Sequence, residues 1–292
     1  MQIAIIGSNG QIGSEVVRAA KAAGLDTLEL LHSDCDVTDG LSVSRALAPL
    51  RAGDVVVNTA AFHKTDECED AGDRALSVNA LGSYRVAAEA SKHGATAVYL
   101  STDFVFDGAK RTPYVESDKP NPLNLYGASK MAGETLLCTA NPHHYLVRIS
   151  AVFGPAGSSG KGGNFVESMV AKGRRGETPD VVDDIVMAPT SAADASGLLV
   201  QLLQRKAPFG IYHLANAGAC SWLEFTDAIF ELIGVKIRAR PIKAASLNGK
   251  ALRPLYSVLA SERLESLGLS TRDWRKALRD YLELKHYLRR SR

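Results

Sequence analysis

Residues 2–13 read QIAIIGSNGQIG, a short apolar run followed by a turn with glycine at every third position. The apolar run over 2–6 predicts a buried parallel strand, and residues 14–23 predict the helix that follows it. Gly7 permits a tight turn, Gly10 lets the backbone approach a pyrophosphate, and Gly13 lets helix and strand pack closely. This order of strand, turn and helix favours a dinucleotide cradle over an ordinary glycine turn.

The remaining chain continues to alternate strands with helices. Further strands are predicted at 27–31, 54–58, 95–100, 145–149 and 211–214, and helices at 73–93, 164–172, 192–204, 222–233 and 274–288. The pattern indicates an α/β fold class, a Rossmann-type doubly wound parallel sheet with a smaller C-terminal α/β substrate-binding part. We predict a dinucleotide-binding domain over 1–150, with crossover segments at about 180–215, and a mainly substrate-binding part over 151–292. The glycine-rich stretch 156–163 predicts a mobile loop.

Composition excludes several classes of protein. The 292 residues carry a formal net charge of +2, which argues against nucleic acid or an anionic membrane surface as a partner. No apolar run approaches the ~18 residues of a membrane span. The four cysteines lie far apart, which favours reduced thiols over a disulfide framework or a zinc site. We therefore expect a cytoplasmic protein without a metal site.

The predicted cofactor contacts follow the sheet edge. In the first turn they are Gly7, Asn9, Gly10, Gln11, Ile12 and Gly13. A bare ribose 2′-hydroxyl usually meets an Asp or Glu after the second strand, but residues 30–33 contain neither. His32 and Ser33 leave room for a 2′-phosphate, although His32 equally fits a solvated loop residue. We predict NADPH as the preferred cofactor and NADH as an alternative.

Three further groups complete the predicted cofactor site. Asp36 is expected to face the adenine amino group, with Val37 under the ring. The small residues Ala60 and Ala61 follow the third strand and let a ribose approach. Asn79 is a poor helix former in the middle of a predicted helix, so it is expected to tie down neighbouring backbone or hold a water molecule.

Tyr126 and Lys130 lie four residues apart and share one face of a predicted helix. An ammonium close to a phenol favours the phenolate, so Lys130 is expected to lower the pKa of Tyr126 toward neutrality. Many surface helices carry this spacing by chance, so the spacing indicates a catalytic pair only when other segments of the sequence support it. One such segment ends at Thr102, whose hydroxyl is predicted to meet that of Tyr126 over a substrate carbonyl.

Together the glycine turn, Thr102 and the Tyr126–Lys130 spacing resemble the extended short-chain dehydrogenase/reductase superfamily. Further pieces narrow the resemblance to the dTDP-4-dehydrorhamnose reductase family: residues 101–108 (STDFVFDG), 126–134 (YGASKMAGE), 164–166 (NFV), 188–190 (APT) and 253–254 (RP). The resemblance covers about residues 1–285.

This resemblance implies a nicotinamide cofactor and, as the small-molecule partner, a nucleotide-linked 4-keto-6-deoxyhexose. It makes Tyr126 the proton donor, Lys130 the residue that holds the nicotinamide ribose, and Thr102 the residue that binds the C4 oxygen. The remaining substrate contacts that it implies are Asp103, Phe104, Asn164 and Arg253. It also allows a homodimer. Family members often carry tryptophan shortly after the arginine of the fifth strand, whereas small aliphatic residues follow Arg148 here, which leaves the sugar open.

Other functions on the same fold stay open at this stage. A sugar-nucleotide dehydratase needs an acid pair after its threonine, and Phe104 after Asp103 argues against it. A sugar-nucleotide epimerase has no such exclusion, but its chemistry is redox-neutral. A third alternative is a non-catalytic NADP-binding subunit that resembles the regulatory β subunit of methionine adenosyltransferase. Retention of Thr102, Tyr126 and Lys130 favours an enzyme.

Overall fold

The computed structural model describes residues 1–156 and 163–288, so most of the predicted glycine-rich loop lies outside the described residues. The strands are β1 Gln2–Ile6, β2 Asp26–Leu30, β3 Val55–Asn58, β4 Thr96–Thr102, β5 His144–Ile149, β6 Val152–Phe153, β7 Asp180–Val182, β8 Val186–Met187, β9 Thr190–Ser191, β10 Gly210–His213, β11 Cys220–Ser221 and β12 Arg240–Ile242. The α-helices are α1 Gly13–Ala22, α2 Gly40–Leu47, α3 Thr65–Asp70, α4 Gly72–Ala75, α5 Gly82–Lys92, α6 Leu125–Ala140, α7 Phe165–Arg174, α8 Ala192–Gln204, α9 Trp222–Ile233, α10 Glu262–Ser266 and α11 Trp274–Leu284.

Six strands form a parallel sheet in the order β2-β1-β3-β4-β5-β10. The inner strands β1, β3 and β4 are mostly apolar and buried, as expected where helices cover both faces, whereas the edge strand β2 carries Asp26 and Glu29. The register pairs Ile6 with Asn58 and Thr102 with Ile149, which brings the carboxyl ends of the strands to one edge. The predicted Rossmann-type doubly wound sheet is therefore confirmed.

Two apolar layers hold the helices against this sheet. On one face α1 and α8 pack with buried residues such as Val16 and Leu199. On the other face α2, α5 and α6 contribute Leu47, Val86 and Leu137. Because α8 and β10 come late in the chain yet join the first sheet, the C-terminal half returns to the N-terminal half. The division at residue 150 stays a prediction.

The C-terminal part has an aromatic core of its own. Helices α7, α9 and α11 pack around Phe153, Phe225 and Trp274, with the rings of Phe225 and Trp274 5.5 Å apart in an edge-to-face arrangement. A smaller cluster that includes Phe106, Tyr114 and Val258 joins this part to the sheet. The C-terminal part thereby forms a second wall facing the carboxyl edge of the sheet.

Two predicted helices differ from the structure. The helix predicted over 73–93 contains a π-helical segment, Leu76–Leu81, between α4 and α5. Helix α11 ends at Leu284 rather than 288, and Tyr287 turns back to donate its backbone N–H to Leu282. Within residues 1–156 and 163–288, no helix is both long and apolar enough to cross a bilayer.

Candidate active site

A cleft of about 1730 Å³ lies between the carboxyl edge of the sheet and the C-terminal wall. Its lining runs from the glycine turn through the ends of β3 and β4 to the first turn of α7. Ligands of open α/β sheets bind at this edge. The cleft is large enough for a dinucleotide together with a second ligand.

The glycine turn has the geometry of a phosphate cradle. Gly7 adopts a φ of 78°, and a Cβ on Gly13 would lie 2.1 Å from the Gly7 carbonyl oxygen. No side chain caps the N-terminus of α1, where Ile12 occupies the N-cap position. The free amides and the helix dipole therefore suit an anionic pyrophosphate.

Five of the six residues predicted in this turn line the cleft: Gly7, Asn9, Gly10, Gln11 and Ile12. Gly13 is not among the lining residues, and its predicted cofactor contact stays a prediction. A Cβ on Gly13 would meet the Gly7 carbonyl, which agrees with the predicted close packing at this glycine.

Two predicted cofactor residues near the end of β2, His32 and Ser33, differ in whether they line the cleft. His32 lines the cleft together with Asp36 and Val37, whereas Ser33 is exposed and does not. Asp36 accepts hydrogen bonds from the Thr38 hydroxyl at 2.7 Å and the Thr38 amide at 2.9 Å, and these bonds lower the pKa of Asp36. An ionised carboxylate thus faces this end of the cleft.

Ala60 and Ala61 line the cleft as predicted, but Asn79 does not. The carboxamide of Asn79 is buried: its Oδ1 accepts from the Phe62 amide at 2.9 Å, and its Nδ2 donates to Ser129 Oγ at 2.9 Å. The expectation that Asn79 ties down neighbouring backbone is confirmed, and its predicted cofactor contact stays a prediction. The residue joins the π-helical segment to α6 beside the cleft.

Thr102 and Tyr126 both line the cleft, and Thr102 lies close enough to the Tyr126 phenol to lower its pKa. Thr102 is the last residue of β4, and Tyr126 lies in the first turn of α6. Asn124 caps α6 by accepting from the Gly127 amide at 2.8 Å, which fixes the orientation of this turn. Two hydroxyls are therefore presented side by side to the cleft.

The predicted acidification of Tyr126 is wrong. Burial raises the pKa of Tyr126, the bond from Thr102 lowers it, and the nearby Asp103 carboxylate raises it further. Burial also lowers the pKa of Lys130, to about 7. The Lys130 ammonium lies 4.0 Å from the centroid of the Tyr99 ring. The phenol is accordingly a protonated donor at neutral pH.

Asp103 and Phe104 line the cleft, but the Asp103 carboxylate is already engaged. Its Oδ2 accepts from Ser150 Oγ at 2.8 Å and from Ser257 Oγ, and its Oδ1 accepts from Thr102 Oγ1 at 3.1 Å. Burial raises the pKa of Asp103, and these three donors oppose that rise. Asp103 thereby holds the Thr102 hydroxyl in place.

The two remaining predicted substrate residues behave differently. Asn164 lines the cleft and caps α7, with its Oδ1 accepting from the Glu167 amide at 3.0 Å. Arg253 is not among the residues that line the cleft, and its predicted substrate contact stays a prediction. Its guanidinium donates to Asp66 Oδ2 at 2.8 Å.

Sequence reasoning missed several residues that line the cleft: Cys35, Phe62, Arg74, Phe165 and Trp222. Phe165 and Trp222 form an aromatic wall with ring centroids 4.5 Å apart. Phe165 follows the predicted Asn164 directly, which was a usable signal. Trp222 is the first residue of α9, far along the chain, and no local sequence pattern predicts that it lines the cleft.

Comparisons with known proteins agree with this architecture. The family model described as the RmlD substrate binding domain matches residues 1–286. A dTDP-4-dehydrorhamnose reductase from Mycolicibacterium smegmatis is 38% identical over 96% of this chain and 84% of its own. A crystal structure of a dTDP-4-dehydrorhamnose reductase from Clostridium acetobutylicum has a TM-score of 0.92 at 34% identity, covering 98% of this chain and 100% of that one. That of the Bacillus anthracis enzyme in complex with NADP has a TM-score of 0.91 at 31% identity, covering 97% and 99%.

Proposed function

The chain belongs to the RmlD substrate-binding-domain family, and we propose that it is an NADPH-dependent reductase of the C4 ketone in a nucleotide-linked 4-keto-6-deoxyhexose. The substrate class is that named for its dTDP-4-dehydrorhamnose reductase relatives. The proposed reaction converts the ketone to a secondary alcohol and consumes one NADPH for each ketone reduced.

One observation carries the proposal: Thr102 and Tyr126 line the same cleft as the glycine turn, which has the geometry of a phosphate cradle. A ketone oxygen that accepts from the Tyr126 phenol, and from Thr102 once its hydroxyl turns away from Asp103, is polarised and oriented before reaction. The elevated pKa of Tyr126 keeps its proton in place until negative charge develops on that oxygen.

The turn Gly7–Ile12 fits the diphosphate of a dinucleotide, because its helix N-terminus is uncapped and a Cβ at Gly13 would close it. A bound NADPH supplies the hydride. Tyr126 then gives its phenolic proton to the C4 oxygen as the alkoxide forms. Thr102, whose hydroxyl donates to Asp103 in the free protein, would turn that proton to the same oxygen.

Lys130 is proposed to contact the nicotinamide ribose from the floor of the cleft, and His32, Asp36 and Val37 to contact the adenosine end. The aromatic wall of Phe165 and Trp222 suits the nucleotide part of the substrate, since nucleobases stack on aromatic faces. Asn164, the N-cap residue of α7, is proposed to bind substrate.

A homodimer stays a prediction, and light scattering of the purified protein tests it.

The test mixes the protein with NADPH and a panel of 4-keto-6-deoxyhexoses linked to different nucleotides, while absorbance at the reduced-nicotinamide band is followed. Reductase activity consumes NADPH in proportion to ketone and yields an alcohol. An epimerase converts the sugar without net NADPH loss, and a non-catalytic subunit converts none of the panel. Either of those outcomes rejects the proposal.

A further inference from the structure

The start of α7 is joined to α11 by a group of polar side chains beside the cleft. Asn164 and Glu167 belong to α7 and its N-cap and both line the cleft, whereas Tyr281 of α11 is buried, at 5% exposure. The Tyr281 ring packs edge-to-face on Phe153, with ring centroids 5.3 Å apart. Tyr281 therefore reaches these cleft residues from a fixed position in the C-terminal core.

The hydrogen bonds of the Asn164 carboxamide leave one position open. Its Nδ2 donates to the Gly154 carbonyl oxygen and to the Tyr281 hydroxyl, each at 3.0 Å, which uses both of its protons. Its Oδ1 accepts from the Glu167 amide at 3.0 Å, and this backbone donor fixes which end of the carboxamide is the oxygen. Within residues 1–156 and 163–288 no second donor bonds to Oδ1. One oxygen lone pair of a cleft residue therefore remains for a ligand.

Glu167 sets the direction of this chain of hydrogen bonds. The Tyr281 hydroxyl lies 2.5 Å from Glu167 Oε1, and the Tyr287 hydroxyl lies 2.6 Å from Oε2. Burial alone would raise the pKa of Glu167, but bonds from the two tyrosines and Lys285 hold it below its ordinary value. Because an ionised carboxylate only accepts, Tyr281 donates to it and turns its own oxygen lone pair to Asn164. Hydrogen bonds joined head to tail polarise one another, which makes Asn164 Oδ1 a better acceptor.

We propose that Tyr281 and Glu167 are positioning residues that act on substrate binding through Asn164, whose Oδ1 accepts a hydrogen bond from a hydroxyl or N–H group of the substrate. The inference rests on the proposed function for the class of substrate. A phosphate or a ketone has no proton to offer at this position, so Asn164 selects donors. In a nucleotide-linked hexose the donors are the N–H of the base and the hydroxyls of the two sugars.

A merely structural role for these bonds has different consequences. Tyr281 and Tyr287 both donate to Glu167, and both thereby join the C-terminal end of the chain to α7. If the bonds only hold the two segments together, loss of either hydroxyl has the same effect on the cleft. Under the proposal the two losses differ, because it is the Tyr281 hydroxyl that accepts from Asn164.

The experiment measures the Kd of dTDP and of dTDP-glucose by calorimetry on the full chain saturated with NADP⁺. Tyr281→Phe keeps the ring against Phe153 and removes the hydroxyl, so the Asn164 carboxamide loses one of its two acceptors. Binding is expected to weaken roughly three- to tenfold, the effect of one hydrogen bond. A loss with both ligands places the donor on the nucleotide, and a loss confined to dTDP-glucose places it on the hexose.

Tyr287→Phe is the matched control. It also keeps its ring and removes a hydroxyl from Glu167, but the bonds of Asn164 are unchanged. The Kd of both ligands is expected to stay at the wild-type value in this variant. The Kd of NADPH is expected to stay constant in both tyrosine variants, because the glycine turn lies in another part of the cleft.

Asn164→Ser tests whether Tyr281 acts through Asn164. Serine still caps a helix N-terminus but has no carboxamide, so ligand binding is expected to weaken while the helix is kept. Adding Tyr281→Phe to this variant is expected to cause no further loss, because the residue through which Tyr281 acts is already absent.

Equal losses in the two tyrosine variants, no loss in Tyr281→Phe, or losses that add in the double variant overturn the inference. A wild-type chain that binds neither ligand also overturns it. Should Tyr281→Phe fail to fold, Asn164→Ser carries the test, and unchanged affinity in that variant overturns the inference. Because binding needs no turnover, a protein that reduces no ketone but shows the expected pattern rejects the proposed function and leaves this inference standing.

Discussion

Replacing Gly13 with alanine tests whether the glycine turn is the cofactor cradle. The new Cβ would lie 2.1 Å from the Gly7 carbonyl oxygen and 2.8 Å from its carbon. Both neighbours are backbone, so α1 and the turn must separate by about 1 Å to reach an ordinary contact. Overpacking of this kind costs about 1–3 kcal/mol.

The same displacement pulls the helix amides away from the position of the phosphates. A loss of about 1.4 kcal/mol in binding is tenfold in Kd, so NADPH affinity is expected to fall roughly tenfold or more. The melting temperature is expected to fall by roughly 2–10 °C. Titration of NADPH fluorescence gives the first quantity, and a thermal melt without ligand gives the second.

Gly197→Ala is the matched control. Gly197 lies inside α8, and a Cβ there meets no atom within 4 Å. Alanine in a helix interior is more favourable than glycine by about 1 kcal/mol, so this variant should melt no lower than wild type and bind NADPH equally. A Gly13→Ala protein that matched it in both measurements would refute the cradle.

Two further predictions concern the cofactor and the buried lysine. The substitution His32→Asp places a carboxylate at the end of β2, which repels a 2′-phosphate and accepts a hydrogen bond from a ribose hydroxyl. The ratio of kcat/KM for NADPH to that for NADH is therefore expected to fall by about tenfold or more. An unchanged ratio would show that other residues bind the 2′-phosphate. The pKa of Lys130 is about 7 in the folded protein, below its unfolded value near ~10.4, so the unfolded state binds more protons between these values. Wild type should therefore gain stability relative to Lys130→Met as pH rises from 7 to 10, and urea unfolding showing a pH-independent difference would contradict the depressed pKa.

Much of the fold followed from the sequence because its signals are local. The apolar run before Gly7 and the glycine spacing fix the first strand, turn and helix within one residue of the structure. The helix bounds of α8 and α9 were also predicted correctly, since polar caps flank clear apolar periodicity. The π-helical segment around Asn79 was not predicted, because its hydrogen bonds to Phe62 and Ser129 come from elsewhere in the chain.

The site was harder to predict than the fold, for electrostatic reasons. Helical spacing brings Tyr126 and Lys130 to one face, but it does not say that Lys130 is buried while Tyr126 is half-buried. Burial raises the pKa of one and lowers that of the other, which overturns the expected acidification. Likewise, Asp66, which pairs with Arg253, lies far away in sequence.

The central claim is that the Tyr126 phenol supplies the proton to the reduced ketone. A single-turnover experiment on Tyr126→Phe tests it most directly, with protein, NADPH and a 4-keto sugar nucleotide mixed rapidly and reduced nicotinamide followed. The account predicts a rate lower by roughly 10²–10⁴-fold with NADPH affinity nearly unchanged. A variant that reduces the ketone at the wild-type rate would contradict it.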